Sequence, residues 1–231
     1  MADHFIDRLA SVIYTEANIE AAKQYAIGRG INPTQWQHLW TLTSPDLAPF
    51  DIFKNKYPPI IFPESLYIPI AEMHDPTQLA GFDVRFCGET KTVNRTRYHK
   101  FKRAPESVMV YRVEDAIHLP IDKTIIITEG VLDCESIRMI GFSNVAVISP
   151  LTALSSLNFT LFLTALSNRI IIAYDKDDDG RRATQKIMDH MQSDPDNLTD
   201  FQILDYKGHD PNQCLKDFGK NYLRQCIENQ L

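Results

Sequence analysis

What the chain lacks narrows it first. Only four cysteines (Cys87, Cys134, Cys214 and Cys226) occur in 231 residues, and no two form a Cys-x-x-Cys pair. That argues against a zinc ribbon, whose ligands come in closely spaced pairs, and against a disulfide framework, so reduced thiols filling core positions are expected. No apolar run approaches the roughly 18 residues needed to cross a bilayer. The opening MADHFIDRLA carries two acids and no signal-like apolar core, so a soluble chain in the cytoplasm is expected. Internal repeats, low-complexity tracts and a Gly-x-x-x-x-Gly-Lys-Ser/Thr nucleotide loop are all missing from the sequence, which leaves no signature of a P-loop nucleotide-binding domain.

What is present begins with bulk. At 231 residues and 44% hydrophobic content the chain can bury a full core, as one large domain or a domain with a small appendage. Its net charge of −6 gives no global attraction to nucleic acid, but the charge is unevenly placed. Residues 85–103, RFCGETKTVNRTRYHKFKR, hold seven Lys or Arg against one Glu, a local +6 that leaves −12 for the remainder. A solvated charged hairpin is the plain explanation of such a run. Tyr98 and Phe101 among the cations suit phosphate contacts combined with base or sugar stacking.

Residues 16–28, EANIEAAKQYAIG, put Ile19, Ala22, Tyr25 and Ala26 at helical spacing, and RGINPTQW then interrupts with glycine and proline before another short helix. Prolines between 41 and 66 read as irregular connection. LYIPIAEMHDPTQLAGFDVRF gives two strand-like runs about a polar turn, an antiparallel hairpin leading into the basic segment. From 123 the pattern changes to KTIIIT, a helix over 131–140, NVAVIS, a helix near 158–167, RIIIAY, a helix from about 181, and FQIL. Apolar strands alternating with helices predict an α/β fold, a parallel sheet flanked by helices and preceded by a small helical and antiparallel-β part.

The stretch IIIAYDKDDDG, residues 170–180, drives a buried strand into Asp175, Asp177 and Asp179 at alternate positions. Like charges this close repel, so a cation or a cationic partner is expected there. Strand side chains alternate, which puts Asp175 and Asp177 on one side if the chain stays extended. KTIIIT ends at Glu129-Gly130 with Asp133 one helical turn later, and ligands of parallel sheets gather beyond the carboxyl ends of the strands. Hard oxygen ligands without histidine or cysteine pairs favour Mg²⁺ or Mn²⁺ over zinc. Asp-x-Asp-x-Asp-Gly also opens a calcium-binding EF-hand loop, but the twelfth position is Lys186 and a strand precedes it. A solvated acidic turn capping the helix, with Asp179 favoured by the helix dipole, is the other alternative.

These residues resemble the TOPRIM domain and, within it, the catalytic core of DnaG-type and bacteriophage primases. IIITEGVLD matches a strand ending in Glu-Gly, and IIIAYDKDDDGRRA a strand ending in Asp-x-Asp. YAIGRGI (25–31) is similar to the tyrosine-rich helix and Arg-Gly-Ile near the start of the primase core. YIPI and AGFDVR are similar to its FPI and GFGGR, TRYHKF to its KYLNSPE region, and LDYKGHDPNQCLKDFG to its LPDGKDPDEYL. Together these span most of residues 20–219 in family order. The chain departs at Asp83-Val84 for Gly-Gly, at Arg97 for lysine, at Leu151-Thr152 for Gly-Thr, and at Asn212 for the second acid of Asp-Pro-Asp.

The resemblance implies a division at about 120, with a primase-core part over 1–120 carrying a basic nucleic-acid face and a TOPRIM part with C-terminal helices over 121–231. It implies synthesis of short RNA primers on single-stranded DNA from ribonucleoside triphosphates. Two divalent ions, Mg²⁺ or Mn²⁺ and not zinc, would be held by Glu129, Asp175, Asp177 and Asp210, with Asp133 orienting the cluster. On the basic segment it selects Arg85, Arg97 and Lys100, followed by Arg95, Tyr98, Lys102 and Arg103, while His99 reads as an exposed bystander. With no zinc module at the amino end, the resemblance implies either that a separate zinc-module protein and a replicative helicase assist initiation or that the chain works without them, and so stripped-down a core suggests a phage or mobile element, acting in a host cytoplasm. A TOPRIM nuclease and a non-catalytic DNA-binding replication subunit are the alternatives. No membrane partner is expected.

Overall fold

The computed structural model describes residues 19–32, 40–42, 65–86, 98–102, 106–193 and 197–231. The second short helix expected after residue 32, and Arg95, Arg97 and Arg103 of the basic segment, lie outside the described residues. The chain divides into two compact units, Met1–Met109 and Val110–Leu231. The division falls ahead of residue 120 because Tyr111 bridges to Ser149 and the short helix that follows packs on a strand of the second unit.

In the first unit, helix α1 (Ile19–Gly28) precedes an antiparallel sheet of β1 (Trp40–Leu42), β2 (Ser65–Glu72), β3 (Leu79–Phe86) and β4 (Tyr98–Lys102), in that order. The two-residue strand β5 (Met109–Val110), at which this unit ends, pairs with β2. Ile68, Ile70, Phe82 and Val84 are buried on the paired strands β2 and β3. The sequence-predicted hairpin is β2–β3, closed by a turn in which Asp75 accepts from the Thr77 amide and hydroxyl.

The second unit runs α2 (Val113–Ile117), β6 (Thr124–Thr128), α3 (Val131–Arg138), β7 (Val145–Ile148), α4 (Leu157–Leu166), β8 (Arg169–Ala173), α5 (Asp178–Gln192), β9 (Asp200–Ile203) and α6 (Pro211–Glu228). Its four strands are all parallel, in the order β7-β6-β8-β9. β6 and β8 lie at the centre, and their isoleucine runs, Ile125–Ile127 and Ile170–Ile172, are fully buried. Uninterrupted β-branched strands of this kind need cover on both faces, which the helices supply, α3 packing on α6 and α4 on α5. Among the described residues no helix is long and apolar enough to cross a membrane.

Candidate metal centre

Neighbouring central strands bring the acids together. Thr128 of β6 is in register with Ala173 of β8, so Glu129, one residue beyond β6, and Asp175, two beyond β8, emerge at the same end of the sheet. Ser149, just past β7, secures the first of these ends. Its hydroxyl donates to the Glu129 carbonyl at 3.0 Å and accepts from the Leu151 amide at 3.1 Å. Leu151, standing where the primase motif has glycine, holds the left-handed backbone that glycine favours, with φ +63°, so the turn keeps its shape despite the side chain.

The third contribution comes from the loop after β9. The Lys176 amide donates to the His209 carbonyl at 2.8 Å. The Tyr206 hydroxyl donates to the Tyr174 carbonyl at 3.1 Å, with the His209 carbonyl 3.4 Å away. These bonds fasten the 206–210 loop to the end of β8. Asp210 is the N-cap of α6, its Oδ1 accepting from the Gln213 amide at 2.6 Å, a favourable place for a carboxylate. One ligand-capable atom from each of Asp175, His209 and Asp210 lies within 4.8 Å of the other two.

Asp175 is the electrostatic focus. Its carboxyl is pushed up to about 7, first by burial and then by Glu129, Asp210 and Asp177, with His209 acting in the opposite sense. Its Oδ1 is enclosed and accepts no hydrogen bond. A buried acceptor without a donor, surrounded by further carboxylates, is the arrangement a cation relieves. The donor set therefore fits a divalent metal ion, for which Asp175, Asp210 and His209 are in mutual reach and Glu129 and Asp177 are close enough to interact electrostatically.

The remaining acids of 175–180 divide by task. Asp177 is the N-cap of α5, its Oδ1 accepting from the Gly180 amide at 2.8 Å. That cap starts the helix at Asp178, three residues before the start read from the sequence. Asp178 and Asp179 form exposed ion pairs with Arg181 and Arg182, the solvated outcome, and stand on the favourable helix terminus. Gly180 is there because the chain leaves no room, since a Cβ at this position would sit 2.1 Å from the Asp175 carbonyl oxygen.

Asp133 is 8% exposed and accepts from the Asn212 amide at 3.1 Å, while the Asn212 side chain donates to Ser136 at 2.9 Å. Asp133 thus fixes the first turn of α6, which carries Asp210. Asn212, 3% exposed, is occupied with α3. His209 is the member that sequence reasoning passes over, because a single loop histidine follows no spacing pattern; its only signal is adjacency to Asp210.

On the basic segment, Arg85 donates through Nε to Asp83 at 2.8 Å, and Asp83 is fully buried. The departure from Gly-Gly therefore places a carboxylate against the first of the predicted cations. Lys100 and Lys102 are exposed on β4, in register with Asp83 and Gly81, and Tyr98 is in register with Arg85. Cys134 and Cys214 are buried, as core fillers should be.

Residues 126–215 match the family model described as Toprim-like. The DNA primase of Clostridium acetobutylicum is 29% identical over 184 residues, 79% of this chain and 28% of that protein. The chain thus spans under a third of that relative's length. The crystal structure of the zinc binding and RNA polymerase domains of Aquifex aeolicus primase superposes with a TM-score of 0.67 at 22% identity, over 99% of this chain and 60% of that one. A DnaG primase catalytic domain bound to ssDNA gives 0.71 at 17% identity, over 99% and 78%. The second unit carries a Toprim-like domain, and the chain has the fold of a TOPRIM-containing primase core of the DnaG type.

Proposed function

We propose that this chain is a primase catalytic core, joining ribonucleotides into short RNA primers on a single-stranded DNA template. The observation that carries the reading is the enclosed, partnerless Asp175 Oδ1 at the meeting of β6, β8 and the Asp210 loop. The similarity to DNA primases supports it.

Glu129, Asp175, Asp177 and Asp210 would hold divalent cations, Mg²⁺ or Mn²⁺. Bound there, the ions would neutralise the triphosphate and lower the pKa of the attacking hydroxyl. In the reaction the primer 3′ oxygen forms a bond to the α-phosphorus, the α–β phosphoanhydride bond breaks, pyrophosphate leaves and the hydroxyl proton passes to solvent. The chain's own residues act by placement. Asp133 holds the start of α6 and so the position of Asp210. Tyr206 and the Lys176 amide hold the 206–210 loop on the end of β8. Arg85, Arg95, Arg97, Tyr98, Lys100, Lys102 and Arg103 supply contacts to template phosphates and nucleotides. A zinc-module protein and a replicative helicase are partners of this reading.

The test is template-dependent incorporation of labelled ribonucleotide by the purified chain. Primer-length RNA that requires both template and divalent ion is expected. Strand cleavage without incorporation would favour a nuclease, and template binding without either would favour a non-catalytic subunit.

A further inference from the structure

We propose that His209 is itself a metal ligand, through an imidazole nitrogen, and that the site consequently selects a first-row transition ion, Mn²⁺ foremost, over Mg²⁺. This deepens the metal-centre reading above and rests on it. Every other candidate donor in the cluster is an oxygen, and a nitrogen donor raises affinity along the transition series while offering little to Mg²⁺, which demands oxygen ligands. Among those ions Mn²⁺ also accepts the octahedral oxygen surroundings that carboxylates and water provide.

The geometry places the ring for this role. His209 Nδ1 lies 3.8 Å from Asp210 Oδ2. Asp210 Oδ1 is engaged by the Gln213 amide, so Oδ2 is the oxygen turned toward the ring. The His209 backbone is held by the Lys176 amide at 2.8 Å. The ring is not a packing element, since its side chain is 56% exposed. Independently of the loop, Asp175 Oδ1 is enclosed without a hydrogen bond, and a carboxylate oxygen of Asp175 lies within 4.8 Å of the His209 and Asp210 donor atoms.

The sequence of the turn fits the same conclusion. The primase motif Gly-Lys-Asp-Pro-Asp reads Gly208-His209-Asp210-Pro211-Asn212 here. A cation and an anion have both gone, so the formal charge of the turn with a neutral ring is the same. An ammonium, which only donates hydrogen bonds, has become a group with a lone pair. A carboxylate has become an amide whose nitrogen is spent on Ser136. The two changes together exchange an oxygen donor for a nitrogen donor at constant charge.

The experiment uses the full chain, stripped with chelator and titrated with MnCl₂ and with MgCl₂ by calorimetry, alongside His209→Lys, His209→Asn and Asp175→Asn. Wild-type chain should bind Mn²⁺ at least about tenfold more tightly than Mg²⁺, and both His209 variants should lose about tenfold in Mn²⁺ affinity while Mg²⁺ affinity stays within about threefold. Pulsed EPR of the Mn²⁺-loaded chain should show an imidazole nitrogen coupling that vanishes in His209→Lys. Neither His209 variant opens the core, and retained Mg²⁺ binding verifies the fold. If Asp175→Asn weakens both ions while the His209 variants bind Mn²⁺ like wild type, the His209 assignment is overturned and the metal centre stands. If Asp175→Asn also leaves both affinities unchanged, the cluster holds no metal and both readings fall.

Discussion

Asp177 has one carboxylate oxygen on the Gly180 amide, so two duties, capping a helix and carrying charge toward the cluster, meet in one side chain. Asparagine caps about as well as aspartate, whereas alanine forfeits about 1 kcal/mol. Asp177→Asn should therefore melt within a degree or two of wild type and Asp177→Ala several degrees lower, while both lose primer synthesis; near-normal incorporation by Asp177→Asn would remove it from the ligand set. Asp175 makes a second prediction. In the fold it holds its proton up to about pH 7, against an ordinary value of 3.8 in the unfolded chain. Between those values the native state binds the extra proton, so metal-free stability declines as pH rises from about 4 to 7. Metal binding has the opposite slope, strengthening as Asp175 ionises through about pH 7. Thermal melts with chelator and with Mn²⁺ across pH 5–8 should diverge; parallel curves would contradict the coupling.

At the scale of elements, the close approach of α5 to the end of β8 is the sharpest constraint. Gly180→Ala places a methyl 2.1 Å from the Asp175 carbonyl, so helix and strand end must part. A loss of about 1–3 kcal/mol is expected, together with loss of metal binding, read by denaturant melts and calorimetry; a wild-type metal affinity in this variant would show that Asp175 tolerates the shift. The elements themselves are legible in the sequence. The isoleucine runs of β6 and β8 can be buried only in a sheet covered on both faces, and Glu129 and Asp175 follow from where those runs stop. Asp210 enters only with the family resemblance. What stays hidden depends on contacts between elements. His209 has no partner near it in sequence except Asp210, and Asp83 reads as a mere departure from the motif, its burial beside Arg85 being a property of the folded sheet. The left-handed backbone at Leu151 is likewise invisible in a residue type that rarely adopts it.

For the molecule as a whole, the unequal charge is the governing quantity. A chain of −6 overall holds a segment of +6, so template affinity should come from that segment and fall steeply with salt. Replacing Arg95, Arg97 and Lys100 with alanine should flatten the slope of log affinity against log salt by about 0.7 for each template phosphate left unneutralised; an unchanged slope would return the segment to a solvated hairpin. The bond from the Lys176 amide to the His209 carbonyl has a temporal consequence. Glu129, Asp175 and the 209–210 pair leave three different strand ends, so no contiguous piece of chain contains the site, and pairings of such long sequence separation form late. In pulsed deuterium exchange during refolding, the Lys176 amide should gain protection together with β9 and after the β2–β3 hairpin. The centre is thus among the last features to exist, and a nascent chain remains chemically silent until its final strand has docked.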